Sequence, residues 1–272
     1  IAATRGIPMG VDCMSPPRHS AFSSPRELVE FAARLRELSG GKPVGFKLAI
    51  GHPWEWFAIV KAMLKTGIAP DFIVVDGGEG GTGAAPLEFT DHVGAPLREG
   101  LMLVHNTLVG AGLRDSIRVG ASGKIVSAFD MARALALGAD WCNSARGFMF
   151  ALGCIQAQTC HSGNCPTGVT TQDPTRQLAL VVPSKAERVH NFHTHTLEAL
   201  QELMEASGLQ TPHDFTPRHI MRRVSETQTL HLSDLVETVQ ADALLKDDVS
   251  TLPAVFSDWP LTSAKSFAIQ TS

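Results

Sequence analysis

The sequence predicts an α/β fold in which strands and helices alternate along a parallel sheet. Three observations carry that expectation: apolar, β-branched runs alternate with helix-like stretches, the runs end in glycine, and several of the stretches open on a capping serine or a proline and stop at glycine. In chain order, Ser24-Pro25 ahead of "RELVEFAARLREL" supplies an N-cap and a first-turn proline, and Gly40-Gly41 a stop, so a helix is predicted between them. "PVGFKLAIG" (43–51) reads as a short buried strand, and "PWEWFAIVKAMLKTG" (53–67) as the helix that follows it. "DFIVVDGGEGGTG" (71–83) is a β-branched strand running into a glycine-rich loop, with a helix from about Leu97 to Leu113 beyond it. "IRVGASGK" (117–124) repeats the pattern, Ser127 caps the helix "AFDMARALALG", and "ADWCNSARG" (139–147) gives a fourth strand and loop. Four such units fit half of an eight-unit barrel or a doubly wound sheet. Residues 184–207 predict one long helix, Ser233 opens another at "DLVETVQADALL", and the last stretch is irregular. The expected division is a partial barrel over 1–180, a helical extension over 181–245 and a tail over 246–272.

Composition excludes several function classes. With 272 residues, 44% apolar and 18% charged, the chain can bury a sizeable core. A net charge of -4 and the lack of a Lys/Arg-rich run argue against nucleic acid as a partner. No apolar run reaches the ~20 residues of a membrane span, and the first residues lack a signal peptide's charged and apolar regions. A cytoplasmic, reducing setting is expected. The chain opens on Ile1 instead of Met, and reads as a processed product or a fragment.

In parallel α/β proteins, binding sites form at the carboxyl ends of the strands. "DGGEGGTGA" places five glycines within 77–83, leaving backbone bare for a flat or anionic ligand, and reads equally as a flexible loop. "GASGK" and "NSAR" together suit a phosphate site built from backbone N–H groups, with Arg146 adding a fixed cation; a surface Arg beside a capping Ser is the plain alternative. Lys47 lies within an apolar strand, where an ammonium needs a partner or a function. His105, His190, His193 and His195 read as helix residues without metal-ligand spacing. "GCIQAQTCHSGNCPTGVTTQDP" (153–174) sets Cys154, Cys160 and Cys165 at C-x5-C-x4-C, a pattern more often metal-binding or catalytic than disulfide-bonded in a reducing setting.

These residues carry a resemblance. "SPPRHSAFSSPRELVEF", "GFKLAIG", "DGGEGGTGAAPLEF", "LREGLMLVHNTLV", "IRVGASGKI" and the cysteine segment follow the order and spacing of the FMN-binding synthase domain of glutamate synthase, over roughly residues 5–200. The chain resembles in particular the stand-alone members that lack a glutaminase domain. The resemblance implies a (β/α)8 barrel carrying FMN and a [3Fe-4S] cluster, which this chain enters at about the fifth strand; the implied fold is the C-terminal half of that barrel followed by C-terminal helices. It implies reduction of 2-iminoglutarate, formed from 2-oxoglutarate and ammonia, to L-glutamate. Lys47 would lie near the flavin pyrimidine edge and the 2-oxo acid, with Asp76, Gly77 and Gly78 beside the ring. Ser122, Gly123 and Lys124, with Ser144, Ala145 and Arg146, would hold the FMN phosphate, and Cys154, Cys160 and Cys165 the cluster. Two departures stand out: Ser122-Gly123-Lys124 replaces the family's Asp-Gly-Gly, and Arg146 replaces a Thr. No N-terminal Cys serves as a glutaminase nucleophile, so ammonia would be free or come from a partner protein, as would the electrons. The alternatives are a related FMN barrel acting on another amino or 2-hydroxy acid, and a non-catalytic iron–sulfur electron-transfer subunit.

Overall fold

The computed structural model describes residues 2–12, 18–80, 88–246, 248 and 250–270. Of the sequence expectations, Gly81 and Gly83 of the glycine loop, the first residues of "SPPRHS" and the fifth cysteine, Cys13, lie outside the described residues.

A short helix α1 (Ala2–Arg5) is followed by α2 (Pro25–Leu38). Ser24 opens α2 by accepting from the Glu27 N–H, with Pro25 in the first turn. Four βα units follow: β1 (Gly45–Ala49), α3 (Pro53–Thr66), β2 (Phe72–Asp76), α4 (Leu97–Gly110), β3 (Arg118–Ser122), α5 (Ala128–Ala136), β4 (Trp141–Asn143) and α6 (Arg146–Leu152). Helix α3 stops where Gly67 turns left-handed at φ 68° and its N–H bonds Met63 O. Ser127 and Asp130 cap α5 reciprocally. Beyond lie α7 (Pro174–Gln177) and the long α8 (Val182–Ala206).

The four strands are parallel and lie in chain order, β1-β2-β3-β4. A doubly wound sheet reverses its strand order at a switch point, so this unbroken order selects half of a (β/α)8 barrel. The outer face is the core: Ile73, Val75, Val119 and Ala121 are fully buried beneath helices contributing Phe57, Val60, Leu101 and Leu108. The inner face aligns Lys47, Val74, Gly120 and Trp141 across the sheet. The Phe72 and Trp141 rings meet edge to face there, centroids 6.0 Å apart. Gly45 and Gly120 are needed beneath them, since a Cβ on either would overlap the Phe72 or Trp141 ring.

Three expectations change. The β1 strand is not buried: it is the sheet's edge, and Lys47 and Ala49 on its inner face are exposed. The helix predicted from Ser233 does not form; Leu232–Asp234 is a single 3-10 turn following a two-stranded hairpin, β5 (Met221–Arg223) and β6 (Thr229–His231). Tertiary contacts override helical spacing there: Leu232, Val239, Ala243 and Leu244 are buried, and Asn106 Nδ2 donates at 2.8 Å to Glu237 O, a carbonyl that a helix would bond within itself. The tail is not irregular throughout, since Ala254–Leu261 winds as 3-10 helix and places Phe256 and Trp259 against Phe57, with ring centroids 5.4 and 5.6 Å away. No helix among the described residues is long and apolar enough to cross a membrane.

Candidate functional site

The turns after the first three strands are laced together by backbone bonds. Gly77 N–H donates to Ser122 O, Gly78 N–H to Ala95 O, Asp91 N–H to Gly78 O and Ala95 N–H to Ile50 O, each at 2.8 Å. A Cβ on Gly78 would lie 2.5 Å from Gly94 O, so that crossing requires glycine. Beside it, on the inner face, Lys47 Nζ meets Asp76 Oδ2 at 2.5 Å, joining neighbouring strands. The Lys47 side chain remains 57% exposed. Its partner answers the question an ammonium in an apolar strand raises, and its exposure leaves it open to a ligand.

The sequence did not point to Glu79, whose carboxylate is central to this end. It accepts from Leu97 N–H at 2.9 and 3.0 Å, capping α4 where Pro96 offers no side chain. It also fills the space left by the missing side chains of Gly77 and Gly123.

Strands β3 and β4 pair up to Ser122 and Asn143, which brings the predicted phosphate turns, Ser122-Gly123-Lys124 and Ser144-Ala145-Arg146, side by side. Ser144 Oγ ties them by donating to Ile125 O at 2.8 Å. Lys124 is engaged: its Nζ lies 2.8 Å from both carboxylate oxygens of Asp91. The structure thus gathers Lys47, Asp76, Gly77, Gly78 and both turns at one end of the sheet. Two turns with backbone donors and a lysine, next to an open inner face with a second lysine, form a donor set that fits a flavin nucleotide.

Cys154, Cys160 and Cys165 line one cavity of about 10 Å³ with Thr159 and Thr170. Both threonine hydroxyls are buried there without a hydrogen-bond partner, which is costly unless a ligand supplies an acceptor. Burial pushes the Cys165 thiol up, but hydrogen bonds from Thr167 and from the Thr170 backbone outweigh it and bring it down to about 6, favouring the thiolate that binds metal. All four described cysteines are free. Among the described residues no three His, Cys, Asp or Glu side chains converge where one metal ion could sit. The donors are of the right kind, and the space between them, lined in part by the 155–159 loop, is about one water's worth. Gln156 and Gln158 hold that loop at φ 57° and 56°, a conformation rare outside glycine.

The remaining candidates separate from this end. Burial pushes the Cys142 thiol up to about 12, leaving it inert at the sheet's outer face. His105 is held in α4, where burial first and the Arg114 charge second bring it down to about 4. His190, His193 and His195 lie on α8, as expected.

Residues 1–210 match the conserved region in glutamate synthase. The chain is 42% identical over 236 residues to the glutamate synthase large subunit-like protein YerD of Bacillus subtilis, covering 87% of this chain and 45% of that protein. It is 37% identical to the archaeal glutamate synthase [NADPH] of Methanocaldococcus jannaschii, covering 78% of this chain and 41% of that one. It is 30% identical to ferredoxin-dependent glutamate synthase 1 of Arabidopsis thaliana, covering 92% of this chain and 15% of that one. The chain therefore spans less than half the length of these relatives. With its matched region reaching from the first strand through α8, the chain belongs to the glutamate synthase family.

Proposed function

We propose that the chain forms a cofactor-bearing part of a glutamate synthase, which reduces 2-iminoglutarate, made from 2-oxoglutarate and ammonia, to L-glutamate. The observation that carries this reading is the gathering of three cysteines and two partnerless buried hydroxyls around one cavity, directly after the second phosphate turn, in a chain of this family. When bound, FMN supplies a hydride to the imino carbon and a [3Fe-4S] cluster supplies the electrons.

The chain's own residues divide the remaining work. Cys154, Cys160 and Cys165 would hold the cluster, with the Thr159 and Thr170 hydroxyls donating to its sulfides. Gly77 and Gly78, packed against Glu79 and Gly94 O, would form the tight backbone turn beside a flat ring on the inner face, where Asp76 would hold the Lys47 ammonium. A cation there favours negative charge on a reduced flavin and attracts the carboxylate of a 2-oxo acid. The turns Ser122-Gly123-Lys124 and Ser144-Ala145-Arg146 would hold the phosphate. Ammonia and electrons would be delivered from a separate site or protein.

Absorbance of the purified full-length protein, with acid-labile iron and sulfide analysis, tests the reading. Flavin bands above broad iron–sulfur absorption are expected, and Cys160→Ser should remove the iron–sulfur part together with its EPR signal. A protein without labile sulfide, or one whose cluster survives Cys160→Ser, would overturn it.

A further inference from the structure

Lys124 stands in a left-handed backbone conformation at φ 47°, and Asp91 does so at φ 65°. Such a conformation is rare outside glycine and persists where the surroundings hold it. These two hold each other. Lys124 Nζ lies 2.8 Å from both Asp91 oxygens, and Asp91 N–H is anchored on Gly78 O at 2.8 Å. The pair bridges the β2 and β3 turns, yet both side chains are about half exposed, at 41% and 52%. A lysine–carboxylate pair that wet adds little stability. A phosphate monoester carries more charge than a carboxylate and three strong acceptor oxygens.

Lys124 therefore waits on a weak partner, one residue beyond Gly123 in the turn assigned above to the flavin phosphate. The geometry points to an exchange in which Asp91 holds the Lys124 ammonium until the phosphate of the flavin nucleotide takes it. Asp91 then limits the preference for phosphorylated over unphosphorylated flavin. No covalent bond changes; one ion pair replaces another. The inference rests on the flavin-site reading of these turns.

The test compares the affinities of FMN and riboflavin for the full-length protein after its flavin is removed. Asp91→Asn removes the competing carboxylate and should tighten FMN about fivefold while leaving riboflavin unchanged. In a Lys124→Gln background the same substitution should leave FMN affinity unchanged, since the side chain it frees is gone. An unaltered FMN-to-riboflavin ratio in Asp91→Asn overturns the exchange, as does a gain that survives Lys124→Gln. Binding of neither flavin by the unsubstituted protein overturns the flavin-site reading, and this inference with it.

Discussion

At the N-terminal end of the sheet Arg114 reaches Ile117 O at 3.0 Å, Gly138 O at 2.9 Å and Asp140 Oδ2 at 2.8 Å, while Asp140 also accepts from Val119 N–H at 2.6 Å. Arg36 and Asp71 repeat the device between β1 and β2, with Arg36 on Asp71 Oδ2 at 2.9 Å and Val44 N–H on the same oxygen at 2.6 Å. In both copies an Asp placed just before a strand is shared between the backbone of the neighbouring strand and an Arg. At the carboxyl end two lysines each meet a single carboxylate: Lys47 on Asp76 and Lys124 on Asp91. The Arg114–Asp140 side chains are only 17% and 14% exposed and the Arg36–Asp71 ones 32% and 39%, whereas Lys47 is 57% and Lys124 41% exposed. One end is built to hold and the other to exchange, the division between stability and function seen across (β/α) barrels.

The comparison breaks first at Arg114. Arg114→Ala should lower stability by about 4 kcal/mol, because it strips a nearly buried carboxylate of its main partner and leaves two carbonyls without donors. Urea unfolding should show a lower midpoint at unchanged slope. A loss below about 1 kcal/mol would mean the N-terminal clamp is no stronger than a surface pair.

A second, smaller effect follows from His105, whose Nδ1 faces Arg114 Nε at 3.3 Å. Burial and the Arg114 charge bring this imidazole down from its ordinary 6.5 to about 4. Between those values the unfolded chain binds a proton that the folded chain does not. Stability is therefore complete above pH 6.5 and declines as pH falls toward 4, by about 3 kcal/mol at most. Asp71 adds to the loss at lower pH: burial raises its carboxyl, but bonds from Val44 and Arg36 outweigh it and hold it below the ordinary value, so its contribution fades as it protonates. Denaturant midpoints measured from pH 7 to 4 check the slope, and His105→Gln should flatten it.

What the sequence disclosed follows from how far each signal reaches along the chain. The strand and helix alternation and the caps at Ser24 and Ser127 depend on residues within a few positions, and they were legible. Lys47 stood out because a cation interrupts an apolar run, and the cysteines because of their spacing. Glu79 was silent because its partner, the first N–H of α4, lies 18 residues on, and Asp91 because Lys124, 33 residues away, meets it only when two strand ends are brought together. Thr159 and Thr170 were silent for a related reason: a hydroxyl without a partner is visible only once its surroundings are packed. The helix expected from Ser233 failed in the opposite sense, local spacing yielding to burial against α4, where Leu244 packs so tightly that a Cβ on Gly110 would lie 2.8 Å from its Cγ.

The smallest stability effect belongs to Lys47, and it sharpens the contrast most. With its side chain 57% exposed and that of Asp76 26% exposed, the pair contributes about 0.5 kcal/mol or less, so Lys47→Ala should leave the unfolding midpoint nearly unchanged. Asp76 stays in place, because its backbone remains registered between Ala49 and Ser122. The same substitution should nevertheless slow flavin reduction or weaken 2-oxo acid binding in the full-length protein, since it removes the only described lysine on the inner face of the four strands. A residue that matters little to folding but much to turnover belongs to the exchanging end. A Lys47→Ala protein that unfolds early yet turns over normally would place Lys47 with Arg114 among the holding residues, and the two ends of the sheet would no longer differ in kind.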